Sequence, residues 1–431
     1  MRKMVGSPGR LASVRPGRPL GALLAASLAL VVFGAACGSD DDAPEPAGTT
    51  ANAGVLGPVA AAAGDPVKVG VISDGATAAF DASVQFDVAA ATTAYLNERR
   101  SGIGGRPIEL VTCETQADPS KGADCGNQMV QAGVAAVVIG ESGVADSVWQ
   151  PLADANLPAM FYGAGSPAIL TDSESTFTLG DPTYSTLQLP ISLAKKLGVT
   201  KVTSVVIDVP AALHNAQEVA PGAFAEAGLD YQLVTVPPGT ADMAPQMQNV
   251  VNGDPGLVFV LGNDSFCISA FNGLNAVGYD GAISAISQCV TDSTRTAVPA
   301  EVLDGMVVAA TVPNGGTDPS TVLYDAVLET YSDGIDAAGA VIGRGMYMTL
   351  AGLAAALEDI SGDITPETII ATIKAMPEKE LPGAAGMKFR CNGKADPENP
   401  AVCVRGGLSA TLDDKGQPTE FEVLGSTPIG D

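Results

Sequence analysis

The chain has 431 residues, 48 of them acidic against 22 Lys plus Arg, and a formal net charge of −26 at pH 7. A surface so negative repels phosphate backbones and anionic lipid headgroups, which excludes nucleic-acid binding as a function. With 46% apolar residues the chain can bury two or three domain cores, and with His214 as its one histidine and no C-x-x-C spacing among seven cysteines it is a poor candidate for a metal protein.

Arg2, Lys3, Arg10, Arg15 and Arg18 precede an apolar run over residues 20–36, and no acidic residue occurs before Asp40. The run is shorter than the roughly 20 apolar residues of a spanning helix, and the small residues at its end suit a processing peptidase. At Cys37 it changes abruptly to Gly-Ser-Asp-Asp-Asp. That junction resembles a bacterial lipoprotein signal, in which Cys37 becomes the lipidated first residue and anchors the protein to the outer face of the cytoplasmic membrane. Gly34 stands where such signals usually carry Leu, and an ordinary signal peptide cut after Ala36 is the alternative. Residues 37–66 are Gly, Ala, Pro, Thr and Asp with no apolar periodicity, and they are expected to form a disordered tether with a reach of roughly 30 Å.

From Val67 onward, short β-branched runs alternate with helical stretches. Strands are expected at 67–73, 107–113, 134–140, 158–163, 201–208, 231–236, 256–262, 282–288 and 305–311. Their nearly continuous apolar character suits parallel strands buried on both faces. Helices are expected between them at 85–100, 120–132, 186–197, 213–227 and 265–277. The alternation gives an α/β fold with helices on both faces of parallel sheets. So many strands exceed one comfortable core, and the turn residues Asp181-Pro182-Thr183 mark a break between two similar lobes. Beyond residue 316 come helices at about 320–332, 338–360 and 366–376, the last with Thr365 as N-cap and Pro366 and Glu367 in its first turn. A hairpin over 407–412 and 419–424 closes the chain.

The six cysteines after Cys37 fall into close pairs: Cys113 with Cys125, Cys267 with Cys289, Cys391 with Cys403. In an exported chain an even number reads as disulfides, and neighbour pairing is the expected connectivity. Each bridge could add about 3 kcal/mol by restricting the unfolded chain.

The order Val-Lys-Val-Gly-Val-Ile-Ser, Ala-Tyr-Leu-Asn-Glu-Arg-Arg-Ser-Gly-Ile-Gly-Gly-Arg-Pro-Ile-Glu-Leu-Val and Gln-Ala-Asp-Pro-Ser-Lys-Gly-Ala resembles the leucine/isoleucine/valine-binding family of ABC-importer solute receptors. Val-Val-Ile-Gly at 137–140, Leu-Asp-Gly-Met-Val-Val-Ala-Ala-Thr-Val-Pro at 303–313 and Leu-Pro-Gly-Ala-Ala-Gly-Met-Lys-Phe at 381–389 agree. The resemblance covers about residues 67–425. It implies a type I periplasmic-binding fold: two doubly wound lobes, 67–183 with 314–403 and 184–313 with 404–431, joined by a three-crossover hinge. It also implies a monomeric, non-catalytic receptor without a cofactor, which closes on a small ligand and delivers it to ABC permease subunits. A ligand sensor or surface interaction protein of the same fold, without transport, is the alternative.

Residues just after the strand ends are expected to line the cleft. In the loop Tyr162-Gly163-Ala164-Gly165-Ser166-Pro167, small residues let backbone N–H groups approach an anion. The resemblance makes Ala164 and Ser166 the pair that grips a ligand carboxylate, with Gly165 between them; a tight turn wanting glycine for shape is the competing reading. Ser142 remains where the family usually has adjacent serines, and Glu141 adds a negative charge there, as a rim residue or as a site for a cationic group. Gly75 and Phe80 follow the first strand. In the second lobe Asp208 and Asp264 follow strands, and Asp264 stands close to the acid that holds an ammonium group in the family, although it could equally cap a helix. The tyrosine expected shortly after Asp208 is absent, which weakens the case for a standard branched-chain amino acid. Tyr184, Gln188 and Gln288 are further wall candidates. No G-x-S-x-G, P-loop or H-E-x-x-H occurs, and 102–105 precedes a strand, so it is a turn and not a dinucleotide fingerprint.

Overall fold

The computed structural model describes residues 54–77, 81–310, 313 and 318–431. Cys37, Gly34 and Phe80 lie outside the described residues, as does the expected tether as far as Asn52 and Ala53.

The chain alternates strand and helix through β1 (Val67–Ser73), α1 (Val84–Arg99), β2 (Ile108–Glu114), α2 (Pro119–Ala132), β3 (Ala136–Ile139), α3 (Ala145–Asp154), β4 (Ala159–Phe161), α4 (Pro167–Leu170) and β5 (Thr176–Thr178). A π-helical turn (Tyr184–Gln188) leads into α5 (Leu189–Leu197), then β6 (Lys201–Ile207), α6 (Pro210–His214), α7 (Ala220–Glu226), β7 (Asp230–Val236), α8 (Ala244–Asn252), β8 (Leu257–Leu261), α9 (Asp264–Ala276) and β9 (Ile283–Ala285). Next come α10 (Asp292–Ala297), α11 (Ala300–Leu303), β10 (Val307–Ala310), α12 (Pro319–Tyr331), α13 (Ala337–Ala356) and α14 (Pro366–Ala375). The short pair β11 (Lys379–Glu380) and β12 (Lys388–Phe389) and the hairpin β13 (Gly407–Leu412) and β14 (Pro418–Leu424) complete it.

Two principal sheets form. The first is five-stranded and all parallel, in the order β2-β1-β3-β4-β5. Alternate residues of its strands feed opposite layers: Val69, Val71, Ala136 and Val138 pack with helices α1, α12, α13 and α14, while Ile72, Val137 and Ile139 pack with α2 and α3. The second is seven-stranded, β14-β13-β10-β9-β8-β6-β7. Five of its strands are parallel, and the closing hairpin runs antiparallel along β10, so this sheet is parallel with a mixed edge. A short hairpin connection, here residues 413–417, makes antiparallel neighbours, and mixed edges of this kind are common on open sheets. Val205, Val258 and Val260 face α8 and α9, and Val202, Leu257 and Phe259 face α5 and α7.

The strand order reverses between β2-β1 and β3 in the first sheet and between β7-β6 and β8 in the second. Ligand crevices of open α/β sheets lie outside the carboxyl ends of strands at such switch points.

Three expectations are corrected. The tether does not extend to Pro66: Leu56 is 2% exposed in the first lobe's core, and Ala60 and Ala62 donate backbone hydrogen bonds to the carbonyls of Glu98 and Asn97 at 2.9 and 2.7 Å. A Gly- and Ala-rich segment of low hydropathy is ordered here because the C-terminus of α1 presents unsatisfied carbonyls to it. The chain end also departs from the second lobe: Ile429 is 3% exposed in the first lobe's core, its N–H bonds Glu378 at 2.7 Å, and Arg390 pairs with Asp431 at 2.7 Å. The helix expected over 213–227 starts earlier, at Pro210, and is not uniformly α: a π-helical turn over Asn215–Val219 joins α6 to α7 just ahead of Pro221, which lacks the N–H that a regular α-helical turn would use there.

Each cysteine after Cys37 is bonded to its sequence neighbour, with Cα separations of 5.5, 5.3 and 4.3 Å for the 113–125, 267–289 and 391–403 pairs.

Candidate functional site

The loops after β1, β3 and β4 meet at the first switch point and enclose a cavity of about 380 Å³, lined by Asp74, Gly140, Glu141, Ser142, Tyr162 and Gly163 among others. Asp74 organises it. Its carboxylate accepts hydrogen bonds from the Thr115 hydroxyl at 2.5 Å, the Ser142 hydroxyl at 3.1 Å and the Gly143 N–H at 2.7 Å. Ser142 therefore stands at the cavity as expected, but it donates its proton to Asp74 and accepts the Val144 N–H at 3.3 Å, so it orders the loop.

Gly75 is buried, with φ 62°, and a Cβ there would lie 2.3 Å from Glu114 Cγ. Glu114 crosses under this turn to accept the Ala76 N–H at 2.8 Å, which makes Gly75 a turn residue and not a wall residue.

Glu141 is the acid of the cavity that no donor of the described residues neutralises; withdrawal from water, and next the charge of Asp74, holds its carboxyl above the usual glutamate value. Its backbone N–H is fixed by Gln85, whose side-chain oxygen accepts it at 3.2 Å while its amide donates to the Ile342 carbonyl at 3.3 Å. Gln85 is fully buried, and it forces a glycine beside it: a Cβ on Gly140 would lie 2.2 Å from Gln85 Oε1. Sequence reasoning missed this residue, although a glutamine among the apolar positions of α1 is the kind of signal that could have found it. It also missed Thr115, whose role depends on which strands become neighbours.

The loop carrying Ala164, Gly165 and Ser166 flanks this cavity, continuing from Gly163. Neither Gly163 nor Gly165 has a positive φ, and a Cβ on either would meet nothing within 4 Å, so shape alone does not demand glycine at these two positions. Ser166 precedes α4 without making a side-chain cap bond to it. The loop thus presents small residues and a hydroxyl that the local fold does not use.

On the second lobe Asp208, Asp264 and Gln288 follow β6, β8 and β9, three adjacent strands, so the sheet brings them to one edge. Asp208 and Gln288 are exposed. The cap of α9 is Asn263, whose side-chain oxygen accepts the Phe266 N–H at 3.0 Å; Asp264 occupies the first turn and accepts the Ser265 N–H at 2.7 Å. The Cys267–Cys289 bridge joins α9 to the turn that carries Gln288, directly behind these loops.

Tyr184 does not join them. It is 6% exposed and packs with Leu189, Ala309 and Leu424, its ring where a Cβ on Gly407 would sit, so it is a core residue beside the crossovers. Nearby, Asp181 at the first crossover accepts the Thr183 N–H and hydroxyl, both at 2.8 Å, and burial holds its carboxyl above the usual aspartate range. His214 is exposed at the end of α6, 3.5 Å from Glu218. Among the described residues no group of three or more His, Cys, Asp or Glu could hold a metal ion.

The family model of periplasmic binding proteins matches residues 66–406, most of the chain and both lobes. The chain belongs to the periplasmic binding protein family. This binding protein therefore takes its place among extracytoplasmic receptors, not enzymes. Among curated proteins none matches it significantly. Its fold is similar to that of an ABC transporter protein from Rhodospirillum rubrum (TM-score 0.68, 18% identity, 83% of this chain and 99% of that one). It is also similar to an ABC transporter substrate-binding protein from Sphaerobacter thermophilus (TM-score 0.59, 20% identity, 84% and 99%). A third similar structure is the branched-chain amino acid transporter substrate binding protein LivJ from Streptococcus pneumoniae in complex with isoleucine (TM-score 0.54, 17% identity, 83% and 99%). Among the described residues of this binding protein no helix is long and apolar enough to cross a membrane.

Proposed function

We propose that this binding protein is the solute receptor of an ABC importer, and that it captures a small amino-acid-like or carboxylate ligand between its lobes and buries it by hinge closure. The observation that carries the reading is the loop 163–166, whose glycines are not required for shape and whose Ser166 hydroxyl is not used to cap α4. Backbone donors around Ala164 and Gly165 and the Ser166 hydroxyl take the carboxylate. Asp264, freed from capping by Asn263, takes an ammonium group with Asp208, and Gln288 borders it. Ser142 and Gly75 act by holding the neighbouring loop in place. Glu141 in a position of the family's paired serines, together with Val209-Pro210-Ala211 where a tyrosine is expected, directs the preference away from plain branched-chain amino acids. Lipidated Cys37 keeps the monomeric receptor beside its permease, which recognises the closed form.

A thermal-shift screen of the protein against amino acids, amides, urea and small carboxylates tests this reading. One of these is expected to raise the melting temperature, and Ser166→Ala is expected to weaken that ligand about tenfold by calorimetry. A shift by a sugar or nucleoside with none from the carboxylates would overturn it.

A further inference from the structure

The charged side chains lining the first-lobe cavity are Asp74 and Glu141, and those directly after β6 and β8 of the second lobe are Asp208 and Asp264. No Lys, Arg or His lines the cavity. The charge at these strand ends is therefore all negative, on a chain whose net charge is −26. A ligand that brings a surplus of positive charge is drawn to such walls, and one that brings a second carboxylate is repelled.

The two cavity acids differ. Asp74 spends its carboxylate on the Thr115 and Ser142 hydroxyls and the Gly143 N–H, so it is a support. Glu141 is exposed on the cavity wall, and among the described residues nothing donates to its carboxylate. Its place is nonetheless built from inside. The fully buried Gln85 accepts the Glu141 N–H at 3.2 Å and donates to the Ile342 carbonyl at 3.3 Å, and residue 140 is a glycine, where a Cβ would lie 2.2 Å from Gln85 Oε1. A buried amide costs stability unless it is bonded, and here one of its bonds goes to the backbone of an exposed acid. A solvated rim residue requires no such support. Tyr162 lines the same cavity, its ring set against α13, where a Cβ on Gly345 would lie 3.0 Å from Tyr162 Cγ. An aromatic wall beside a carboxylate suits a cation carried on an alkyl stem.

We propose that Glu141 is a specificity-determining residue of the cleft and selects an amino acid whose side chain ends in a cation, with the terminal ammonium or guanidinium on the Glu141 carboxylate and the alkyl stem along Tyr162. This rests on the receptor reading above, in which the loop 163–166 takes the ligand's own carboxylate; Glu141 and Gly163 border one cavity, so one ligand can reach both.

Calorimetric titration of the intact protein with L-lysine, L-ornithine and L-arginine, against L-norleucine and L-glutamate, tests it. L-norleucine keeps an alkyl chain without the cation. One of the basic amino acids is expected to bind at least about tenfold more tightly than L-norleucine, and L-glutamate is expected not to bind. Glu141→Gln, which keeps the shape and removes the charge, is expected to bring that basic amino acid within about twofold of L-norleucine. Ser166→Ala is expected to weaken both alike, and so reports on the carboxylate grip alone. L-norleucine binding as tightly as the basic amino acids, or a preference that survives Glu141→Gln, would overturn the proposal and leave the receptor reading standing. Failure of all these amino acids to bind would also overturn it, and the receptor reading falls with it only if no carboxylate or amide raises the melting temperature either.

Discussion

The Ser142 hydroxyl donates to the Asp74 carboxylate at 3.1 Å, and through this bond the loop after β3 is tied to the loop after β1 across the strand-order reversal of the first lobe. Thr115 after β2 and the Gly143 N–H converge on the same carboxylate. One acid thus holds three loops, and the shape of the cavity depends on it.

Replacing Asp74 with Ala leaves those three donors without their acceptor. Because hydrogen bonds to a charged group each contribute about 1.5–3 kcal/mol and water will replace part of the loss, a net destabilisation of about 2 kcal/mol is expected. Urea unfolding measures it; an unchanged midpoint would show that the loops do not depend on this acid.

Glu141 sets a pH dependence. Its carboxyl is held above the usual value by desolvation and by Asp74, so the folded state binds its proton more tightly than the unfolded chain does. That contribution to stability is present below the unfolded glutamate value and is lost as pH rises through the folded one. Glu141→Gln is therefore expected to raise the melting temperature relative to the parent at pH 7 and to leave it little changed at pH 4. Equal shifts at both pH values would contradict the assignment.

The close approach of Gly140 and Gln85 predicts a matched pair of effects. Gly140→Ala places a Cβ 2.2 Å from Gln85 Oε1 and 2.9 Å from Met346 Cε, and overpacking of this kind costs about 1–3 kcal/mol. The side chain that must move also holds the Glu141 N–H. Adding Gln85→Ala removes the clash, so the double variant should lose less than the two single losses together, as a double-mutant cycle in denaturant would reveal.

Removal of the Cys267–Cys289 bridge by paired Ala substitution is expected to cost about 3 kcal/mol, from the freedom returned to the unfolded chain. Because the bridge backs the turn carrying Gln288, hydrogen exchange at 287–290 should also accelerate. Unaltered exchange there would mean that the turn is held by other contacts.

Leu56→Ala tests the docked segment that precedes β1. A leucine 2% exposed in the core is expected to cost about 2–5 kcal/mol on truncation. A free tether would lose nothing.

Much of the fold was legible because burial on both faces leaves a local trace. β1, β6 and the hairpin strand β13 begin and end within a residue of the apolar runs that predict them, and α1, α9 and α12 follow their periodicity. Elements with weak local signals were not: β5 has three residues, and α3 carries Pro151 in its interior, which argues against a helix until tertiary packing of Val148 and Leu152 overrides it. At the candidate site, position after a strand end put forward Ser142, the 163–166 loop, Asp208 and Asp264, and the structure does place them after strand ends. Position alone could not distinguish a wall residue from a support.

The sequence by itself determined the alternation that makes two α/β lobes, the acidic surface, and the neighbour spacing of six cysteines, because hydrophobic period, charge and short loops are properties of contiguous residues. Only the tertiary structure decided which loops meet. Asp74, Thr115 and Ser142 lie far apart in the chain and share one carboxylate because β2, β1 and β3 are adjacent in the sheet. The same holds for Leu56 and Ile429, which belong to the first lobe's core through long-range packing that no local pattern announces.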